Sequence, residues 1–567
     1  MIGEVQEKIP FLYPYLWQCY RNSSLLFFGE NTILSQIGAQ QGDPLGPLLF
    51  SLTIHQLIQK LKSELNLWYL DDGTICDDPD IVFKDFQTII TEAKKLGLEI
   101  NPSKCELFFC SGSVDQEIFS KFNTLCPGIC VITKEDLNLL GSPIFEEGFI
   151  KFSQKIFNKM KIMFERLKIL NSHTALFILR NCLAIPKLTY LIRTSPSWKF
   201  ENFTSAFDKE IKDILETILN IDLNSQQWTQ ATLPISFGGL GIRKLRDIAL
   251  PAFLSSSFGV KSHVSRILNF QDMTFIAHFD EAVEEWKVLN GLQEPSLPTL
   301  QKNWDLINIQ RIIKEKLNFT SKTDLARFKA LQCKESNAWL QSIPSSNIGT
   351  FMDNNSIRIC IGLRLGCNIC SVHTCLCGSL VTPKGLHGLS CQKSVGRIPC
   401  HTELNDIIGQ TLSLLQVPTT REPTGLSRND GKRPDGMTLT PWFKGKYLIW
   451  DATCVDTFAD SYLSKTSLNA RKLADTAAKD KHSHYSNIIS SNNHILLAFA
   501  VETMGPWSSE SITFIDKIGT QLQDISGDKR SKFYLIQRIS MAIQRHNASR
   551  IMGTIPANKP LDQVFYL

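Results

Sequence analysis

Two adjacent carboxylates, Asp71 and Asp72, close an apolar run, Leu67-Trp68-Tyr69-Leu70, and Gly73 follows at once. No other stretch constrains its local fold so tightly, because paired charges are costly to bury unless something neutralises them. Two resolutions are open. Asp-Asp-Gly is good turn chemistry, and a surface β-turn leaves both carboxylates in water. Alternatively the pair holds hard divalent cations, the ions that polymerases use for nucleotidyl transfer. The tetrapeptide alone does not choose between them.

The flanks add order and spacing. Upstream, Gln40-Gln41-Gly42-Asp43-Pro44-Leu45-Gly46-Pro47 passes from a Gly/Pro loop into an apolar helix through Leu48 to Ile54. A helix opening after such a loop offers free N–H groups and small residues to a substrate. Downstream come a helical stretch from Phe86 to Leu96, then Asn101-Pro102-Ser103-Lys104, then the turn Leu140-Gly141-Ser142-Pro143. Taken together these segments resemble the palm of a reverse transcriptase of the non-LTR retrotransposon type. The resemblance implies that Gln41, Gly42 and Pro44 lie under the incoming nucleotide and template. It implies that Tyr69, Asp71 and Asp72 form an Mg²⁺-binding hairpin, with Lys104 at a strand end and Gly141 in the primer grip. It also implies a third carboxylate on a strand ahead of Gln40. Residues 1–40 hold Glu4, Glu7 and Glu30 but no Asp, and Ile9, Leu12, Leu16 and Trp17 recur at helical spacing. The expectation is therefore an N-terminally truncated palm, without fingers or first catalytic strand, that binds metal weakly and has lost most of its rate.

Composition fits several folded domains: 567 residues, 43% hydrophobic and 20% charged. With 60 basic and 55 acidic residues the net charge is only +5, so any nucleic-acid surface must be a local patch. Glu4, Glu7 and Lys8 precede any apolar run, which argues against a secretory leader, and no run of transmembrane length is read. Sixteen Cys without a leader point to reduced thiols in the nucleus or cytoplasm of a protein that is not secreted.

From Lys151 to Arg193 the chain reads as helices. Ile156, Met160, Met163, Phe164 and Leu167 share one face, with Lys155, Lys159, Lys161 and Arg166 largely opposite. That suits a thumb gripping phosphates, and equally an ordinary helix with a solvated face. Trp286, Trp304 and Trp339 read as core.

A Cys/His cluster follows: Cys367, Cys370, Cys375, Cys377, His387, Cys391, Cys400 and His401. The best quartet for Zn²⁺ is Cys375, Cys377, His387 and Cys391, although only one residue separates its first pair. Cys367-Asn368-Ile369-Cys370 offers the better first-pair spacing, and buried free thiols remain the alternative. Related elements carry a zinc-knuckle-like cluster at this place.

Farther on, Arg433-Pro434-Asp435-Gly436 precedes the apolar strand Tyr447 to Trp450, read as ending in Asp451-Ala452-Thr453. This resembles the active site of restriction-like nucleases, in which two carboxylates hold a divalent ion that activates water. Asp435 is also a good turn former. The resemblance implies Asp435 and Asp451 as Mg²⁺ ligands, with Glu422 able to complete the set. Lys479, Lys481 and Tyr485 would come from a downstream helix, read as one stretch from Ser464 to His484, and His494 to Glu502 is read as the closing strand.

The fold class that follows is a multidomain α+β chain. Residues 1–150 are the partial palm, 151–250 a helical thumb, 251–355 a helical connector, 356–405 the Cys/His knuckle and 406–567 a restriction-endonuclease-like α/β domain. The implied function is RNA-directed DNA polymerase of a non-LTR retrotransposon with a C-terminal DNA-nicking endonuclease. Its partners are an RNA template, a DNA target and primer, and dNTPs, with no membrane. The alternative is a catalytically inactive nucleic-acid-binding protein derived from such an element.

Overall fold

A computed structural model describes the chain apart from residues 36, 41, 269–275, 293, 395–396, 428–430, 491–492 and 556–567. Gln41 therefore lies outside the described residues. The fold separates into two compact units, Met1–Phe152 and Ser153–Leu567.

In the first unit the chain before Arg21 forms two helices, α1 (Ile2–Lys8) and α2 (Tyr13–Tyr20). Pro10 lacks an N–H and crowds the turn before it, so the helix stops there. Val5 and Leu16 bury against Leu49 of the later helix α3 (Gly46–Ile58). Between α2 and α3, β1 (Ser24–Phe28) and β2 (Asn31–Ser35) form an antiparallel hairpin. The Asp43 side chain accepts the Leu45 N–H at 2.8 Å and its carbonyl accepts the Gly46 N–H at 2.9 Å, which starts α3. Next come β3 (Leu65–Tyr69), β4 (Asp72–Cys76) and α4 (Pro79–Lys95), the last capped by Asp78 accepting the Asp80 N–H at 3.0 Å. Leu57, Ile89 and Ala93 pack with Trp68 and Ile75 behind the hairpin. Buried Asp85 of α4 accepts the Lys62 and Ser63 N–H groups at 2.8 and 2.7 Å and the Ser63 hydroxyl at 2.6 Å. These bonds fix the loop that leads into β3.

The second unit is mostly helical through Leu365. On the helix Glu146–Leu167, Met160, Phe164 and Leu167 are buried, while Lys155, Lys159, Lys161 and Arg166 are exposed. Trp286, Trp304 and Trp339 are each only 1% exposed, and the first two meet edge to face at 4.8 Å. Among the described residues one stretch, Ser172–Thr194, is long and apolar enough to cross a membrane by length and composition, which corrects the reading that none is. It is interrupted by a π turn over Leu179–Leu183, one residue-pair ahead of Pro186, and Arg180 within it donates to the Leu340 carbonyl at 2.7 Å. It is built as paired core helices joined by that turn. The loop Pro234–Gly241 is held by buried Arg364, which donates to the Gly239 carbonyl at 3.0 Å and to Asn337 Oδ1 at 2.6 Å. A Cβ on Gly239 would lie 2.0 Å from the Leu233 carbonyl oxygen, so only glycine fits.

The C-terminal part of this unit is a four-stranded sheet flanked by helices. Helix α5 (Arg397–Leu414) precedes β5 (Thr419–Arg421), β6 (Gly436–Thr438) and β7 (Tyr447–Val455). Helix α6 (Lys472–His484) then leads to β8 (His494–Glu502), α7 (Ser509–Ser526) and α8 (Ser531–Met552). The strands lie in sequence order; the first two pairings are antiparallel and β7–β8 is parallel. A parallel pair needs a crossover, which α6 and its neighbours supply. Alternation along the strands divides the two faces. Leu448, Trp450, Ala452, Leu497, Phe499 and Val501 face the core made with α5, α7 and α8. On the other face Ala498 and Ala500 meet Ala474 and Ala478 of α6, and Ile449 and Leu496 meet Tyr485. Two sequence expectations change here. β7 does not end in Asp451-Ala452-Thr453 but continues to Val455, because its pairing with β8 continues to Val455↔Glu502. The stretch Ser464 to His484 is two helices, Asp460–Thr466 and α6, divided at Arg471, whose φ is +72°.

Glu502, at the end of β8, ties α6 to the sheet. Its Oε1 accepts the Ala474 N–H at 3.2 Å and its Oε2 accepts the Thr457 hydroxyl at 3.2 Å. Burial pushes this carboxyl up to about 7. In the unfolded chain it ionises near the ordinary glutamate value, so between roughly pH 4.3 and 7 the folded state holds the extra proton. Stability therefore falls as pH rises through that window and levels off above it. Glu502→Gln is expected to remove this component. Denaturant unfolding at pH 4 and pH 8 should show the parent losing about 3 kcal/mol more than the variant. Equal losses would exclude a raised Glu502.

Candidate metal centres

In the first unit Asp71 and Asp72 stand at the tip of the β3–β4 hairpin, both exposed. Tyr69 pairs with Asp72, so Leu70 and Asp71 are the two turn residues. Leu70 has φ +57°, a conformation that costs a non-glycine residue on the order of 1 kcal/mol or more. Gly73 is required next: a Cβ there would lie 2.7 Å from the Trp68 ring. Elsewhere in the same unit Gly42 has φ +91°, and Leu140 and Gly141 have φ +49° and +78° in the turn between Asn138–Leu139 and Ser142–Pro143. Tyr69, Pro44, Lys104 and Gly141 are exposed. Asp43 accepts a short hydrogen bond from the Tyr20 hydroxyl, which holds its carboxyl below the usual range. Among the described residues two groups of three or more ligand atoms can converge on one ion, and neither includes Asp71 or Asp72. A cation at the hairpin would rest on this carboxylate pair.

The second unit contains both groups. The first is His401, Asp435 and Asp451, whose ligand atoms lie within 4.8 Å of one another. Asp435 sits immediately before β6, and Trp450 covers Gly436 so closely that a Cβ there would lie 2.1 Å from the indole. Asp435 Oδ2 accepts the Ala452 N–H at 2.6 Å and lies 3.0 Å from His401 Nε2. Burial pushes Asp435 up, but the His401 hydrogen bond and charge, together with hydrogen bonds from the Ala452 N–H and Asn405, leave the carboxyl below its ordinary range. The same contact raises His401. Asp451 lies in mid-strand on the face toward α6. Its Oδ1 is 2.5 Å from Lys481 Nζ, and its Oδ2 accepts the Tyr485 hydroxyl at 2.6 Å. The Tyr485 oxygen also lies 3.0 Å from the Arg433 carbonyl, which places the segment before Asp435 beside Asp451. Ala474, Ala478, Lys481 and Tyr485 fall along one side of the helical stretch, so the contact that seats α6 also aims the last two at Asp451.

Glu422 does not complete this set. Its backbone N–H reaches the Asp435 carbonyl at 3.1 Å, but its φ is +43° and the residue is exposed. The third donor is His401 of α5, which sequence reasoning had grouped with the cysteines. The available signal was Asn405, one turn later: its Oδ1 accepts the Trp450 indole N–H at 3.0 Å, and it holds that face of α5 against the strands. Lys479 is exposed, and it is Lys481 that pairs with Asp451. Octahedral ligands at ~2.1 Å from an ion stand roughly 3.0 Å apart. The His401–Asp435 separation matches that edge, and the donor set suits a divalent cation.

The second group is Cys375, Cys377, His387 and Cys391. Cys375 and Cys377 sit in a tight turn after the strand His373–Thr374, closed by Cys375 accepting the Gly378 N–H at 2.8 Å. His387 opens the short helix His387–Ser390, and Cys391 follows it. Cys377 Sγ is 3.2 Å from His387 Nε2, and the Cys375 and Cys391 sulfurs are 3.8 Å apart. Tetrahedral zinc with sulfur at ~2.3 Å separates its sulfurs by roughly 3.8 Å, so these residues fit zinc. Hydrogen bonds from Ser379 draw the Cys377 thiol down to about 6. Cys367 and Cys370 are buried outside the group; Cys370 Sγ is 3.6 Å from the Thr382 carbonyl. Cys400 is buried beside Cys454.

Comparison with known proteins agrees with the first unit. Residues 4–144 match the family described as reverse transcriptase (RNA-dependent DNA polymerase). The chain is also similar to the retrotransposable element SLACS 132 kDa protein of Trypanosoma brucei gambiense, with 27% identity over 234 residues. That match covers 41% of this chain and 19% of the relative's length.

Proposed function

Starting from a chain whose residues 4–144 are a reverse transcriptase domain of the non-LTR retrotransposon kind, we propose that the protein serves target-primed copying of RNA into DNA. The C-terminal sheet nicks a DNA strand, and the domain around Asp71 and Asp72 extends the exposed 3′-OH on an RNA template. The observation that carries the nicking half is the convergence of His401, Asp435, Asp451, Lys481 and Tyr485 about the middle of β7. A divalent cation bound there would activate water and neutralise phosphate charge. Asp435 and Asp451 would hold that cation. Tyr485 fixes the orientation of Asp451 through Oδ2. The Lys481 ammonium, at the rim, is placed to meet a phosphate oxygen. Water adds to phosphorus and the P–O3′ bond breaks, leaving a 5′-phosphate and the 3′-OH that a polymerase needs.

The test is supercoiled DNA incubated with the full chain, with and without chelator, followed by RNA template and dNTPs. Nicking lost on chelation and restored by a divalent ion supports the nuclease; nicking that survives chelation excludes it. A second reading, binding without polymerisation, is favoured by the exposed Asp71–Asp72 pair, which lacks a third ligand among the described residues. It predicts no primer extension, and nucleic-acid binding that falls steeply with salt and is unaffected by Asp71→Ala.

A further inference from the structure

The third donor at the Asp435–Asp451 centre is nitrogen. His401 Nε2 stands 3.0 Å from Asp435 Oδ2 on the open side of the group; its side chain is 46% exposed, against 13% for Asp435. The ring is carried on a helix rather than a loop. The other face of α5 is fixed in the core by Cys400, Leu404, Ile407 and Ile408. Asn405 donates to the His401 carbonyl at 3.0 Å while the Trp450 indole holds the amide's oxygen. The imidazole is thus preorganised toward the two carboxylates.

Donor type selects metals. Mg²⁺ prefers oxygen ligands, keeps several waters and gains little from imidazole, and Ca²⁺ is likewise an oxygen-binding ion. Mn²⁺ accepts carboxylate and water as readily and, as a first-row transition ion, also takes imidazole nitrogen. Resting on the reading that Asp435 and Asp451 hold a cation, we propose that this centre selects Mn²⁺ over Mg²⁺ and Ca²⁺, with His401 Nε2 as the selecting ligand.

The experiment is Mn²⁺ titration of the full chain followed by electron paramagnetic resonance, with Mg²⁺ as competitor, in the parent, His401→Asp and Asp435→Asn. The expected result is one Mn²⁺ equivalent that Asp435→Asn lacks, with spin-echo modulation from a directly bound ¹⁴N that disappears in His401→Asp. Displacement by Mg²⁺ should need at least roughly tenfold less competitor in His401→Asp than in the parent, since an all-oxygen triad suits Mg²⁺. Circular dichroism checks that the variants fold, and His401 is exposed enough for Asp to be accommodated. A bound Mn²⁺ with no ¹⁴N modulation, or the same competition in His401→Asp, overturns the selection by His401 and leaves the cation reading standing. No Mn²⁺ equivalent sensitive to Asp435→Asn overturns both.

Discussion

Asp451→Asn is expected to reduce nicking by at least about 10³-fold, the scale on which removing a charge-stabilising group acts. The substitution keeps the shape of the side chain and removes its charge. Asp451 is 4% exposed in the middle of β7, and both its oxygens are engaged, Oδ1 with Lys481 and Oδ2 with Tyr485. An amide leaves the Lys481 ammonium facing a neutral group and takes one charge from the cation site. Tyr485→Phe removes only the bond that orients Oδ2, so its loss should be on the order of 10- to 100-fold. Lys479→Ala should leave the rate unchanged, since Lys479 is exposed and Lys481 is the lysine paired with Asp451. The measurement is the initial rate of relaxation of supercoiled DNA. A variant Asp451→Asn that nicks at the parental rate would show that the carboxylate takes no part.

Removing zinc from the Cys375–Cys391 group is the second large expected effect. Structural zinc contributes on the order of 10 kcal/mol in small knuckles, because the metal replaces a core. The segment has few apolar side chains of its own to fall back on, and it packs closely on α8. A Cβ on Gly388 would lie 2.9 Å from the Arg550 carbonyl oxygen, and His373 Nε2 meets the Thr554 hydroxyl at 2.9 Å. The purified chain should carry one zinc equivalent, and Cys391→Ser should lose it. Strong chelation should then open residues 373–391 to proteolysis and lower the melting temperature. A metal-free chain of equal stability would identify three free thiols beside a histidine instead.

Local signals were legible where one short segment decides its own conformation. The apolar run before Asp71 and the glycine after Asp72 make a hairpin, and Trp68 over Gly73 shows why that glycine is there. The odd-spaced Cys375-Leu376-Cys377 pair was legible too, because a single turn brings its sulfurs near His387 and Cys391. His401 was not. Its partner Asp435 lies 34 residues away and is reached only because α5 crosses the sheet, while its neighbour Cys400 suggested a thiol cluster. Glu422 has the right charge and a nearby position in sequence, but the left-handed backbone there leaves it exposed. The length of β7 depends on its pairing with β8 nearly 50 residues later, which no window around Asp451 contains.

The apolar contact between α6 and the sheet centres on four buried alanines, Ala474, Ala478, Ala498 and Ala500. Alanine is the smallest side chain that still packs, so this seam sets the distance between helix and strands near its lower limit. A methyl group added there has nowhere to go except between the two, and the lift is carried along the helix to Lys481 and Tyr485. A volume change on the order of one methylene, made far from any charge, would thus act as a displacement of the charged groups themselves. The reach of the lysine to Asp451 is gauged by the thickness of a hydrocarbon layer, and sequence drift at those four positions is restricted by geometry as firmly as at the carboxylates.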